Sequence, residues 1–428
     1  MRGRRRWRIA ALLGIGVLIN YFDRVNLSVA HEALHNEFGL SNATYGYLLS
    51  AYVWTYAALQ LPIGVMLDRF GVRLIGRVSA LLWSIASFAA AASPTLGSFF
   101  ASRLLLGVGE APTFPANAKA IGYWFPSQER SMATAMFDAA AKFASGIGVP
   151  LIGAMLIGFG WRVSFAMTGV ISFFYFVAFY FIYRDPLDDP RLSARELAHI
   201  QASDAQHQIH TGKSNPAPLG YLLRQRKVLG LVAGFFAYNY CFYLFLTWLP
   251  SYFSALHMNL QHSILFTSVP WLFGTLTDLV VGGWLVDELI RRGHDQSRVR
   301  KTVLITGTIA GLAVAGAMFT QNPTVAAFWI SISLGGLSAA APVGWSIPSL
   351  IAPRDSVGKV GGILNFGNQL AGIAAPIATG YFAGPSNSFS RAFAAAAVIL
   401  MIGICGYIFL LGRIEPVPEP AHHPTSSL

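Results

Sequence analysis

The chain has 428 residues, 54% of them hydrophobic and 11% charged, with a formal net charge of +11. Soluble domains carry about 25% charged residues, so most of this chain does not face water. The basic residues lie between apolar segments rather than on one polar face, which argues against a nucleic-acid partner.

A helix crosses the hydrocarbon of a bilayer in roughly 20 residues, so twelve crossings use about 240 residues and leave short loops and one longer linker. The start, MRGRRRWRIAALLGIGVLIN, imitates a secretion signal. Its apolar stretch nevertheless runs on through Asp23 and Arg24 without a small-residue cleavage site, so it reads as a retained helix. Apolar runs predict helices over 9–30, 43–66, 74–93, 97–121, 131–158 and 162–183. After the polar stretch 184–227, further runs predict helices over 228–252, 263–286, 302–320, 324–350, 357–383 and 390–412. The expected fold is an all-α membrane protein of twelve transmembrane helices in two pseudo-symmetric six-helix bundles. Its expected division is 1–183, a cytoplasmic linker 184–227, and 228–428 with a short cytoplasmic tail.

Lys and Arg gather at the start, in alternate loops (Arg69, Arg73 and Arg77; Arg130; Arg291 through Lys301; Arg354 and Lys359), in the 184–227 stretch and at Arg413. The positive-inside rule places all of these, and both termini, in the cytoplasm. The intervening loops 31–42 and 254–263 contain no Lys or Arg, in agreement with an even number of crossings. Gly64 and Asp68 recur as Gly283 and Asp287, each pair 219 residues apart, which marks an internal repeat of half the chain. Within the linker, RLSARELAHIQASDAQHQ has a thin apolar stripe. It reads as a solvated connection, with an amphipathic surface helix as the alternative.

Cys241 and Cys405 sit in apolar segments without metal-ligand spacing, so neither a disulfide framework nor a metal site is expected. The informative residues are the ionisable ones inside the spans. Asp23 and Arg24 are adjacent in the first, and neighbours on a helix point about 100° apart, so Arg24 can face a central cavity while Asp23 faces another helix. The forked donors of Arg24 suit a substrate carboxylate. Glu110 lies in the middle of the fourth span, and a carboxyl group poised there between charged and neutral suits proton coupling. Asp23 and Glu110 are therefore the candidate proton sites; the competing reading is a structural ion pair, such as Glu110 with Arg103. Asp138 and Lys142 stand at i,i+4 in the fifth span. Lys142 is either a second anion contact or half of a neutralised pair, and Asp278 either takes up a further proton or pairs with a cation.

The loop GVMLDRFGVR (64–73) resembles the signature between the second and third helices of the major facilitator superfamily. The resemblance implies a conformational latch built from Asp68, Arg69, Arg73 and, in the second half, Asp287. Gly71 allows the tight turn. The second copy departs from the pattern, with Glu288 where an Arg is expected. INYFDRVNLSVA (19–30), RLLLGVGEAPTFPANAKAIGYWFP (103–126) and PVGWSIPSLIAPRDSVGKVGGILNFGNQLAGIAAP (342–376) are similar to the anion:cation symporter family, over nearly all twelve spans. That similarity implies proton-driven uptake of an organic anion, such as a hexuronate, aldonate, aldarate or aromatic carboxylate, at the bacterial inner membrane. It also implies that Tyr21 and Tyr56 line the pocket. From the second half, Tyr243, Asn365 and Gln369 offer neutral partners to substrate hydroxyls, Gln369 standing where the family writes Asn. The expected coupling ion is the proton, with no other cofactor, and the expected unit is a monomer. An anion exchanger or exporter remains the alternative, and a non-transporting sensor a more distant one. No nucleophile, base and orienting group share a motif, so an enzyme is not expected.

Overall fold

A computed structural model describes residues 5–126, 130–201, 217–353, 356–385 and 388–419. Among them the chain forms twelve long helical segments. In the first half, α1 is Arg5–Val29, and a short helix, His31–Phe38, links it to the next segment. The helix Asn42–Ala91 breaks at Gly71, whose φ of 74° and ψ of 167° no side chain adopts easily, into α2 (42–70) and α3 (72–91). Segment α4 comprises Leu96–Glu110 and Thr113–Trp124, and begins with a capping box between Thr95 and Ser98. Arg130–Ile182 breaks in the same way at Gly160 (φ 80°) into α5 (130–159) and α6 (161–182).

In the second half, α7 is Arg226–Ala255. Segment α8 runs through Leu260–Thr277, a π-helical stretch Asp278–Leu285, and Val286–Arg291. It is followed by α9 (Gln296–Phe319), α10 (Pro323–Ser346), α11 (Val357–Ala383) and α12 (Ser390–Leu410). The breaks fall where the apolar pattern predicts loops, and the start of α1 and the end of α12 lie at one face, here called the terminal face; the opposite one is the distal face.

Large apolar side chains cover the outside: Phe159 is 72% exposed, Phe319 86% and Phe409 72%, while Asp23, Arg103 and Glu110 are buried. A chain that hides charge and displays Phe is folded for a lipid solvent, where every backbone polar group must be satisfied within its own helix. Among the described residues, eight helical stretches are long and apolar enough to cross a membrane, one of them Met136–Ile182, which holds both α5 and α6. The fold is a multi-pass membrane protein of two six-helix halves.

The halves meet along three seams: α1 with α7, α2 with α11, and α5 with α8. At the distal face they are tied by Asn42 Nδ2 donating to Gly384 O (2.6 Å), by the Tyr47 and Tyr381 hydroxyls (3.2 Å) and by His31 Nδ1 with Ser251 Oγ (2.8 Å). A methyl group added at Gly46 would fall 2.6 Å from the carbonyl oxygen of Pro376, so α2 and α11 touch there through their backbones. The distal face is closed.

The linker is more tightly held than a solvated connection. Its helix Ala194–Gln201 places Glu196 against Arg6 (2.9 Å), and Asp189 binds Arg5 (2.6 Å); all four side chains are buried. These ion pairs explain why α1 begins four residues earlier than its apolar run. The rest of the predicted amphipathic stretch, from residue 202, lies outside the described residues. At the far end of the linker, Ala217 accepts from Lys359 and donates to Ser356, at the start of α11.

Candidate functional site

Helix geometry fixes the first charged pair as expected. Arg24 and Asp23 diverge: Arg24 turns toward the bundle centre, and Asp23 turns toward α3 and α6, where Ser87 Oγ donates to its Oδ1 (2.7 Å) and Ser172 Oγ lies 3.5 Å from Oδ2. The fork of Arg24 is engaged from inside the protein. Its Nη2 and Nε donate to Glu110 Oε2 at 3.0 and 3.2 Å, and both side chains are buried. The partner of Glu110 is thus Arg24 rather than Arg103.

Three tyrosines surround the guanidinium of Arg24, with ring centres 4.6 Å (Tyr21), 5.0 Å (Tyr52) and 5.8 Å (Tyr56) away. Such rings present their negative faces to a cation and hold it in place with few competing hydrogen bonds. Tyr52, Tyr56 and Gln60 recur at i,i+4 along α2 and therefore share one face. That spacing was the signal for Tyr52 and Gln60, which the sequence reasoning did not single out.

Arg103 completes a four-charge cluster. It lies between Phe99 (5.4 Å) and Phe165 (5.1 Å), fully buried, and none of its three nitrogens has a hydrogen-bond partner among the described residues. With Asp23, Arg24, Tyr52 and Thr247 it lines a small cavity between the halves. Glu110 Oε1 is likewise without a partner. Two arginines and two acids in a buried interior balance in charge, but among the described residues their hydrogen-bonding capacity is not exhausted.

The second half faces this cluster with neutral groups. Asn365 Nδ2 donates to Gln60 Oε1 across the halves (3.2 Å), and Gln369 Nε2 lies 3.4 Å from Asn365 Oδ1. Tyr243 is buried against Gly372 of α11 and within electrostatic reach of Arg24, Tyr21 and Tyr56. The structure therefore gathers Tyr21, Arg24, Tyr56, Glu110 and Tyr243 around one centre, with Asn365 and Gln369 beside Gln60.

Lys142 lies to the other side of Tyr21, with partners of its own. It keeps the expected contact with Asp138 (3.1 Å) and adds one across the halves, to Asp278 (2.5 Å), so the cation that pairs with Asp278 is Lys142.

The latch candidates whose side chains are described lie near groups of their own half or of the linker. Arg69 is exposed over the Phe70 ring, Arg73 is half-buried within electrostatic reach of Asp185, and Asp287 is exposed near Arg300. Glu288, where the repeat departs from its pattern, pairs with Arg291 and Arg292. The side chain of Asp68 lies outside the described residues.

This architecture can be compared with known proteins. An uncharacterized transporter of Bacillus subtilis, YybO, is 40% identical over 421 residues, covering 97% of this chain and 96% of that one. The probable galactarate/D-glucarate transporter GarP of Escherichia coli is 31% identical over 425 residues, covering 96% and 95%. Among solved structures, a bacterial homolog of the human lysosomal transporter Spinster, inward-facing and occupied, superposes with a TM-score of 0.73 at 15% identity, covering 97% and 98%. The sequence profile of the superfamily matches residues 13–294 and 295–427, nearly the whole chain. Twelve helices in two halves, a charged centre between them and these relatives converge: the chain is a membrane transporter, not an enzyme, and it belongs to the Major Facilitator Superfamily.

Proposed function

We propose that the protein is a proton-coupled symporter that takes up a sugar acid or a related organic anion by alternating access. The observation that carries this is the bidentate hold of Glu110 on Arg24 inside the tyrosine cage. A carboxylate of the protein occupies the fork that a carboxylate of the substrate would use. Protonation of Glu110 weakens that hold and frees the fork, so a proton and an anion bind together. Asp23, one residue from Arg24, is the second candidate proton site.

The substrate class follows from the lining. An acid group on Arg24 and hydroxyls on Gln60, Tyr243, Asn365 and Gln369 fit a polyhydroxy acid, and GarP is named for the transport of galactarate and D-glucarate. The distribution of Lys and Arg supports cytoplasmic termini and insertion in a bacterial inner membrane. Segments 1–183 and 228–428 then rock about the site, joined by 184–227, as a monomer. Asp68, Arg69, Arg73 and Asp287 serve as the cytoplasmic latch of that motion. Lys142, already held by two carboxylates, is not assigned to the substrate.

The test is uptake of labelled aldarates, aldonates, hexuronates and aromatic acids into vesicles holding the purified protein, with and without an inward proton gradient. Gradient-stimulated uptake is expected in the wild type. Glu110→Gln is expected to lose the stimulation and keep exchange of external for internal substrate. Wild-type uptake indifferent to the gradient, but dependent on an internal counter-anion, would make the protein an exchanger.

A further inference from the structure

The seam between α5 and α8 runs toward the terminal face in three steps. Near the distal end Ile264 fills the space above Gly153, further along Leu272 fills that above Gly146, and then Lys142 meets Asp278. Lys142 lies twelve residues into α5, about 18 Å from its start, which places this ion pair deep in the bundle. Its side chain is 4% exposed and that of Asp278 6%, whereas that of Asp138 is 24% exposed.

Two carboxylates therefore share one ammonium, and one negative charge is left over. Cross-half pairing is the part that changes when the halves move. Asp138 is on the same helix as Lys142 and stays with it, but Asp278 arrives from the other half. It does so at the first residue of a π-helical stretch, where the backbone departs from regular helix and which often marks a functional position. Among the described residues, the other titratable groups facing this site are neutral phenols: Tyr238 of α7 and Tyr21 of α1 lie within electrostatic reach of Lys142 and Asp138. The remaining neighbour, α10, presents Ala339 and Pro342 against Gly282. Of the two arginines in the neighbouring cluster, Arg24 is engaged by Glu110, and Arg103 lies between Phe99 and Phe165.

An ionised carboxylate that loses its partner in such surroundings pays several kcal/mol unless it takes a proton. We infer that the Asp138–Lys142–Asp278 triad is a proton-binding site separate from Glu110 and Asp23, in which Asp278 exchanges Lys142 for a proton when the α5–α8 seam parts. The step is a simple transfer: carboxylate plus proton gives carboxylic acid, and Lys142 stays charged on Asp138. The sign follows. The distal-closed state described here is the one in which Asp278 holds Lys142 and has released its proton, and opening the distal face accompanies proton uptake at Asp278. A proton collected with the distal face open and released after closure moves in the direction that uptake requires.

This inference rests on the proton-coupled reading above and adds one proton per cycle to it. The experiment is the proton-to-substrate flux ratio in vesicles for the wild type, Asp278→Asn and Lys142→Gln, with substrate exchange at equal pH as the control. The ratio is expected to fall by one in Asp278→Asn, which cannot take the proton. It is expected to fall by one also in Lys142→Gln, where an acid pair without its cation keeps a proton throughout; exchange persists in both. An unchanged ratio in either exchanging variant overturns the inference while leaving proton coupling intact. If Asp278→Asn does not fold, the ratio in Lys142→Gln decides alone, and loss of exchange in both variants overturns the inference as a purely structural ion pair. Wild-type uptake that ignores the gradient overturns the proton-coupled reading itself, and the inference with it.

Discussion

The two halves of this transporter share a scaffold and divide the chemistry. Around the centre, the first half contributes Asp23, Arg24, Arg103 and Glu110, four buried charges packed among aromatic rings. The second half answers with Tyr243, Asn365 and Gln369, all neutral, and places Asn239 and Asn368 in a hydrogen bond of 2.8 Å behind them. A repeated fold therefore need not repeat its electrostatics. Around the centre the buried charges concentrate in one half, and the other presents neutral polar groups, whose burial carries a much lower desolvation cost.

The division can be broken most severely at Arg24. Arg24→Ala removes a two-bond charged fork and leaves Glu110 without its partner. Loss of charge-assisted bonds of this kind costs about 3 kcal/mol, so substrate affinity is expected to fall by roughly 100-fold, read by equilibrium binding. Arg24→Lys keeps the charge without the fork and is expected to recover only part of it. A neutral contact has a smaller effect. Asn365→Ala removes about 1 kcal/mol and is expected to raise the KM for a hydroxylated acid roughly fivefold, with the gradient dependence untouched. Equal damage to gradient dependence by Asn365→Ala would erase the contrast between the halves.

The smallest effect concerns the distal face, where His31 of the α1–α2 link meets Tyr45, Trp248 and Ser251. Burial, and then the neighbouring His35, push its imidazole down to about 4 from an ordinary 6.5. The neutral form thus belongs to the closed face, and opening returns the group toward its ordinary value. Closure is fully supported above pH 6.5 and weakens as pH falls toward 4. Between pH 7 and 6 the closed-to-open ratio is expected to drop about threefold, read as thiol labelling of a cysteine placed at Tyr47. His31→Asn should flatten that response, and an unaltered slope would remove His31 from the gate.

Much of this was legible beforehand because it is local. Apolar runs locate the spans, Gly71 marks the turn at 74°, and residue spacing separates Arg24 from Asp23 and joins Asp138 to Lys142. Partnerships over long distances were not legible. Nothing in spacing says that Glu110 chooses Arg24, 86 residues away, over Arg103 on its own helix, or that Asp278 of one half reaches Lys142 of the other. The linker misled for the same reason. Its apolar stripe is thin, yet Glu196 of its helix and Asp189 before it bind Arg6 and Arg5, contacts that hydropathy does not register.

On the proposed mechanism, the hold of Glu110 on Arg24 makes the carrier its own competitor. A carboxylate tethered on the next helices acts as an inhibitor at an effective concentration of at least about a millimolar, one that cannot be diluted away. On that mechanism, an incoming anion has to displace Glu110 from the fork before it binds, so a single-point anion such as chloride is at a disadvantage against a carboxylate that grips with both oxygens.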